Sequence, residues 1–411
     1  NFGFSHKKIT NMIKSDKSVG VSGDFEILIG SGRACGIRLT TIEVPEIARK
    51  HAIFKRIGDR LFIQDLGSKS GTFLDGKRLP KKMWEEIVQK ATGHNEIKLG
   101  QTPIGIDAQL FRGRPRAGIE TTALYYKVSG KMICNGAYLR AKPGTMTAIM
   151  GPAGCGKSTL LDLVNGYRAP TSGQVLVTRD QDIINVHQDY GKVREWLGYL
   201  PQDDMMIPEL TVSQSLNYCL RLQFIGLAAS IRQIMIRKTC YNLGFDENRL
   251  NKFLNTVIGS SESGIRGLSG GERKRANLAH ELIAMPLILL LDEPTSGLSS
   301  VDADKIVRLL QSVTQLDELT TIATIHQPSR DTYERFDNLL LMDHGGRVAY
   351  YGSTKEATAY FEQVTSIACE NRNPAEYLLE ILDNPYYNQK MTQFSEQRQP
   401  RLSMITPLSV R

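Results

Sequence analysis

The run Gly151-Pro152-Ala153-Gly154-Cys155-Gly156-Lys157-Ser158-Thr159 leaves the apolar stretch Thr147-Ala148-Ile149-Met150 and enters Leu160, Leu161, Leu163 and Val164, spaced as one face of a helix. That order of strand, glycine loop and helix constrains the fold severely. A strand apolar along its whole length needs cover on both faces, so a mainly parallel sheet packed with helices is expected. At Gly151, Gly154 and Gly156 the absence of side chains lets successive backbone N–H groups, including that of Cys155, converge on phosphates. The positive end of the following helix adds to the attraction. Lys157 brings a charge to the terminal phosphates of a nucleotide. Ser158 offers a hydroxyl to Mg²⁺, and Thr159 offers a second one to the α-phosphate.

Further on, the apolar run Leu287 to Leu291 ends in Asp292-Glu293-Pro294. Asp292 is placed to hold Mg²⁺ through water, and Glu293 to accept the proton of an attacking water. A helix is expected from Asp302 to Val313, a third buried strand from Thr320 to Ile325, and mainly helix over residues 205–265. Among 411 residues the longest apolar runs fall far short of the ~20 that a membrane helix needs. Six cysteines (Cys35, Cys134, Cys155, Cys219, Cys240 and Cys369) lack paired spacing, which argues against a zinc site or disulfide framework and for a reducing compartment. The chain opens on Asn1 rather than Met, so it reads as a piece of a longer protein, with no signal peptide.

The N-terminal part has a different texture. Phe25 to Ile29, Ala52 to Phe54, Leu61 to Ile63 and Ile97 to Leu99 read as short strands, with Gly67, Gly71 and Asp75-Gly76 as turns. A β-sandwich over residues 25–110 is expected, after an extension over 1–24, with a short helical insertion from Met83 to Lys90. Residues 111–118 read as a linker, and a polar tail follows residue 385. Residues 1–116 carry 21 Lys and Arg against 12 Asp and Glu, so they hold the basic excess of a chain whose net charge is +8. Such a surface suits nucleic acid, anionic lipid or phosphorylated protein, and equally a merely solvated face.

With the strings above, three more complete a pattern: Gln202 in Leu200-Pro201-Gln202-Asp203, the run Leu268-Ser269-Gly270-Gly271-Glu272-Arg273, and His326 in Ile325-His326-Gln327-Pro328. Residues 119–385 resemble the nucleotide-binding domain of the ATP-binding cassette family: an α/β phosphate-loop NTPase with a mixed sheet and a helical subdomain. The resemblance implies ATP and Mg²⁺ as ligands, with Gln202 touching Mg²⁺ and the membrane partner and His326 contacting the γ-phosphate. It also implies that Ser269, Gly270 and Gly271 act on the nucleotide held by a second copy. Arg266 to Arg275, Glu293 to Leu298 and His326 to Ser329 resemble the G-type, white-like exporters. That implies a homodimer or heterodimer at the cytoplasmic face of a membrane, a membrane domain after Arg411 and no nucleic-acid partner. Two departures stand out. Ser299 replaces the usual Asp of a loop that communicates across the dimer, and Val128, beside Tyr125 and Tyr126, stands where an adenine-stacking aromatic is usual. A soluble cassette ATPase acting on a macromolecular assembly is the alternative reading.

Residues 25–110 resemble a forkhead-associated (FHA) domain through Ile29-Gly30, Arg49-Lys50-His51-Ala52, Asp65 to Thr72 and Asp75-Gly76. This implies a phosphothreonine reader, with Arg33, Arg49 and Ser70 as candidate phosphopeptide contacts. Ser31 stands where the phosphate-binding Arg is usual, Ala48 where a Ser is usual, and Ser70 where an Asn is usual. Fewer charge-assisted donors remain for a phosphate, so a docking or regulatory module is the competing reading. His51 is expected to pack within its loop.

Overall fold

The computed structural model describes residues 25–30, 37–38, 48–57, 60–87, 94–107, 116–179, 182–203, 205–224, 229–260 and 264–384. The chain divides into two units, residues 1–115 with 220–239 and residues 116–219 with 240–411.

In the first unit, five strands form one sheet in the order Ile37–Arg38, Phe25–Gly30, Ala52–Ile57, Arg60–Asp65 and Trp84–Ile87, antiparallel except for the first pair. Four more form a second sheet in the order Lys77–Arg78, Thr72–Leu74, His94–Leu99 and Thr102–Asp107. Together they make the expected sandwich. Period-two alternation buries Ala52 and Phe54 on one strand and Ile63 and Asp65 on the next, with Ile29, Ile87, Ile97 and Leu99 completing the core. The hairpin turns through Asp75 and Gly76, both at positive φ (52° and 83°), as a two-residue primed turn requires.

The expected helical insertion from Met83 to Lys90 is corrected up to Ile87, and residues 88–90 lie outside the described residues. Trp84–Ile87 is a strand, paired antiparallel so that Leu61 faces Ile87 and Gln64 faces Trp84. Met, Glu and Lys favour helix weakly, but pairing a free sheet edge and burying Ile87 favour the strand more.

The second unit begins with the strand Ala117–Thr121, which takes up the last two residues of the stretch read as linker. Its main sheet has six strands in the order Leu197–Leu200, Ile288–Leu291, Thr320–Thr324, Met146–Met150, Asn338–Met342 and Val348–Ser353. All neighbours are parallel except the last pair. The central strands Ile288–Leu291, Thr320–Thr324 and Met146–Met150 are buried at every residue, as an all-apolar strand between helix layers must be. A smaller antiparallel sheet joins Arg140–Ala141, Ala117–Thr121, Val175–Arg179 and Asp182–Asn185, and Leu124–Val128 pairs with Lys131–Ala137. In the region expected to be mainly helical lie Val212–Gln223, which begins in this unit, Ala229–Asn242, most of which is grouped with the first unit, and Glu247–Asn255. The helix read from Asp302 to Val313 is longer at both ends, running Ser300–Asp317. No helix among the described residues is long and apolar enough to cross a membrane.

Candidate nucleotide site

Met146–Met150 delivers the glycine loop to the C-terminal edge of the main sheet, where parallel α/β sheets bind their ligands. The helix Lys157–Asn165 starts at Gly156, whose cap position carries no side-chain bond. Its first amides therefore face the loop, ready for an anion. Lys157 is almost fully buried, and its ammonium donates to the carbonyls of Gly151 (2.9 Å) and Pro152 (3.0 Å), which hold it across the loop. The loop lies against the strand Lys131–Ala137. A Cβ on Gly156 (φ +102°) would stand 2.8 Å from the Ile133 carbonyl oxygen. A Cβ on Gly346, in the turn after Asn338–Met342, would meet the same oxygen closer still. The Ile133 carbonyl is thus wedged between two glycines, and the Asn135 amide donates to Gly346 O at 2.9 Å.

The acidic pair ends the neighbouring strand but one. Asp292 is buried and its Oδ1 accepts from the Thr324 hydroxyl at 2.5 Å. The same hydroxyl accepts from the Glu293 amide at 2.8 Å. Glu293 sits at φ +45°, which turns its side chain out of the strand line, and its Oε2 accepts from Gln202 Nε2 at 3.0 Å. His326 is exposed, two residues after Thr324. A cavity of about 760 Å³ is lined by Gly154, Gly156, Lys157, Ser158 and Thr159 together with Glu293 and His326. One open polar cleft therefore gathers phosphate donors, a general-base candidate and a histidine. Ser158, Gln202 and Asp292 offer a hydroxyl, an amide oxygen and a carboxylate, all hard oxygen donors suited to Mg²⁺.

Ser269, Gly270 and Gly271 are not brought into this cleft. Ser269 caps the helix Gly270–Ile283, with its amide (3.0 Å) and hydroxyl (2.7 Å) both donating to Glu272 Oε2. Burial alone would raise the Glu272 carboxyl, but these bonds outweigh it and hold it below its usual range. Ser269 lines a second cavity, bounded by residues 258–260 and 265–268, where the Arg273 guanidinium donates to Gly259 O. Cys155 is buried, and burial pushes its thiol up, as for a packed rather than a reactive cysteine.

Ser299, the departure from the usual Asp, caps Ser300–Asp317: its hydroxyl donates to Asp302 Oδ2 (2.9 Å) and accepts from the Asp302 amide (3.2 Å). Val128 is exposed at the end of its hairpin, and the Tyr126 hydroxyl accepts from Arg168 at 3.4 Å. The local sequence marks none of Thr324, Lys274 and Glu281, yet all three bond to the segments that carry the acids and Gln202.

In the sandwich, buried Asp65 accepts from the amides of Gly67 (2.7 Å) and Ser68 (2.9 Å) and from the hydroxyls of Ser68 and Thr72 (2.7 Å each). Burial pushes Asp65 up, yet these donors hold it below the usual carboxylate range. His51 is buried as expected. Its Nδ1 accepts from the Ala48 amide at 3.2 Å, which leaves Nε2 to donate to Gly71 O at 3.1 Å. Arg49 is exposed and Ser70 partly so, while Arg33 lies outside the described residues.

A phosphate loop, a strand-end acidic pair, a glutamine on the acid, a histidine after the third strand and a serine-capped glycine helix lining a second cavity together define an ATP-binding cassette, which takes ATP with Mg²⁺. The ABC transporter family model matches residues 134–296, the FHA domain model residues 27–90, and an ABC-2 type transporter model residues 326–407. The chain carries an ABC transporter nucleotide-binding domain of the G type, preceded by an FHA domain. It is similar to the ABC-type transporter claG of Penicillium crustosum, 38% identical over 68% of this chain and 35% of that protein. ABC transporter G family member 22 of Arabidopsis thaliana is 36% identical over 61% of this chain and 32% of that protein. G family member 1 of Dictyostelium discoideum is 34% identical over 60% and 30%. The chain spans about a third of the length of these relatives.

Proposed function

We propose that the cassette hydrolyses ATP as one half of a two-chain sandwich at the cytoplasmic face of a membrane. Closure on ATP and reopening after hydrolysis would drive an attached membrane domain, as expected of a G-type half-transporter acting as an exporter. One observation carries this reading: Ser269 and its helix N-terminus lie apart from the cleft that holds Lys157, Glu293 and His326. A cleft open on the phosphate side and a separate phosphate-seeking helix end complement each other across a dimer axis, not within one chain.

In this reading Lys157 and the loop amides hold the β- and γ-phosphates. Ser158, Asp292 and Gln202 would hold Mg²⁺, which would neutralise phosphate charge. Glu293, steadied by Gln202, takes the proton of the attacking water, and His326 contacts the γ-phosphate. The FHA domain acts as a docking or regulatory module. Its loop scaffold is fully bonded through Asp65 and His51, while Ala48 offers no hydroxyl to a phosphate.

Exchanging Glu293 for Gln tests the reading. Glu293→Gln keeps the bond to Gln202 but loses the base. It is expected to bind ATP, to lose at least about 100-fold in turnover and to accumulate as an ATP-bound dimer on size exclusion. A fully active variant rejects Glu293 as base, and one that stays monomeric with ATP rejects the sandwich.

A further inference from the structure

The helix Gly270–Ile283 grips the segment around Gln202 at two points. Near its start, Lys274 Nζ donates to the Gln202 carbonyl at 3.3 Å. Near its end, Glu281 Oε2 accepts from the Tyr199 amide at 3.0 Å. Tyr199 belongs to Leu197–Leu200, the edge strand of the main sheet, so the carboxylate covers an amide on the side that faces no other strand among the described residues. Between the two points the Gln202 side chain runs to Glu293. The last turn of the helix is anchored as well: the His280 ring nitrogens bond Ser215 Oγ and Cys219 Sγ, each at 2.9 Å, on Val212–Gln223.

A helix of 14 residues is a rod roughly 21 Å long. Held at both ends of the Tyr199–Gln202 segment, it follows any displacement of that segment, and its own first residue is capped by Ser269. Resting on the two-chain sandwich above, we propose that Lys274 and Glu281 couple the two nucleotide sites of the dimer. They pass the state of Gln202 and Glu293 in one protomer along Gly270–Ile283 to Ser269, which serves the other protomer's glycine loop. Both are positioning residues. The competing account is local: Lys274 would only steady the Gln202 of its own site.

The two accounts differ in which site suffers, and mixed dimers of the intact protein, isolated by two tags, read that difference. Glu293→Gln in one chain silences that chain's glycine-loop site and leaves one live site. With Lys274→Met in the same chain as Glu293→Gln, the live site is served by the altered helix. With the two changes in opposite chains, the live site lies on the Lys274→Met chain and is served by an intact helix. Couplings between sites commonly run roughly 5–150-fold, so the first dimer is expected to hydrolyse ATP at least about 5-fold more slowly than the second. KM is expected to change little, and Lys274→Arg in the same arrangement to restore the rate. Equal rates, or the reverse order, overturn the proposal. Should silencing one site stop both, the readout becomes ATP-driven closure of dimers carrying Glu293→Gln in both chains. There Lys274→Met is expected to lower the Hill coefficient towards 1 and Lys274→Arg to restore it, and an unchanged coefficient overturns the coupling. A wild-type dimer without hydrolysis would instead count against the sandwich itself.

Discussion

Thr324 shows how much one hydroxyl can hold in place. It donates to Asp292 and accepts from the Glu293 amide, so it fixes the two strand-end acids relative to each other. Valine has the same shape without the hydroxyl. Losing a hydrogen bond to a charged group is worth about 1.5–3 kcal/mol, so Thr324→Val is expected to lower kcat about 10- to 100-fold. KM for ATP should stay within about threefold. Steady-state kinetics check this, and a wild-type kcat would reject it. Nothing in the local sequence marks this residue. Thr320 to Thr324 reads as a β-branched strand, and the bonded acids lie 31 and 32 residues away. Lys157, Asp292 and Glu293 stand out in the sequence because phosphate chemistry calls for their residue types after buried strands, and His326 stands out through the family resemblance, whereas support for those residues can come from anywhere in the fold.

The helix Gly270–Ile283 poses the matching question at the scale of an element. Burial pushes Glu281 up to about 7, while the backbone bond from Tyr199 only partly opposes it. The unfolded chain releases this proton near the ordinary glutamate value, so between about pH 4.5 and 7 the folded state holds more protons. Stability therefore falls as pH rises through that window. Glu281→Gln keeps an oxygen for the Tyr199 amide and removes the titration. It is expected to flatten this slope and to be more stable than wild type above pH 7 by on the order of 2 kcal/mol. Denaturant melts at pH 5, 6, 7 and 8 decide, and a slope as steep as that of the wild type rejects the assignment. Elements marked by an apolar run were read correctly from residues alone, as with Met146–Met150 and Ile288–Leu291. Trp84–Ile87 was not. Four residues contain too little period, and the outcome rests on an open sheet edge contributed by Arg60–Asp65.

At the scale of the whole molecule, two folds share one chain, a nucleotide-binding cassette and an FHA domain, whose family resemblance implies a phosphothreonine reader. The second keeps its scaffold and has lost usual donors at Ser31, Ala48 and Ser70. Titration of phosphothreonine peptides against their unphosphorylated forms is therefore expected to give affinities within about tenfold of each other, since charge-assisted bonds supply such discrimination. A hundredfold preference for the phosphorylated form would restore the reader function. The Ile133 carbonyl, pressed between Gly156 and Gly346, carries a consequence of a different kind. Gly346 lies far along the chain from the phosphate loop, yet any side chain there pushes the strand Lys131–Ala137 against Gly156. A side chain at Gly346, a position outside the nucleotide cleft, would therefore be felt at the phosphate loop through one shared carbonyl oxygen.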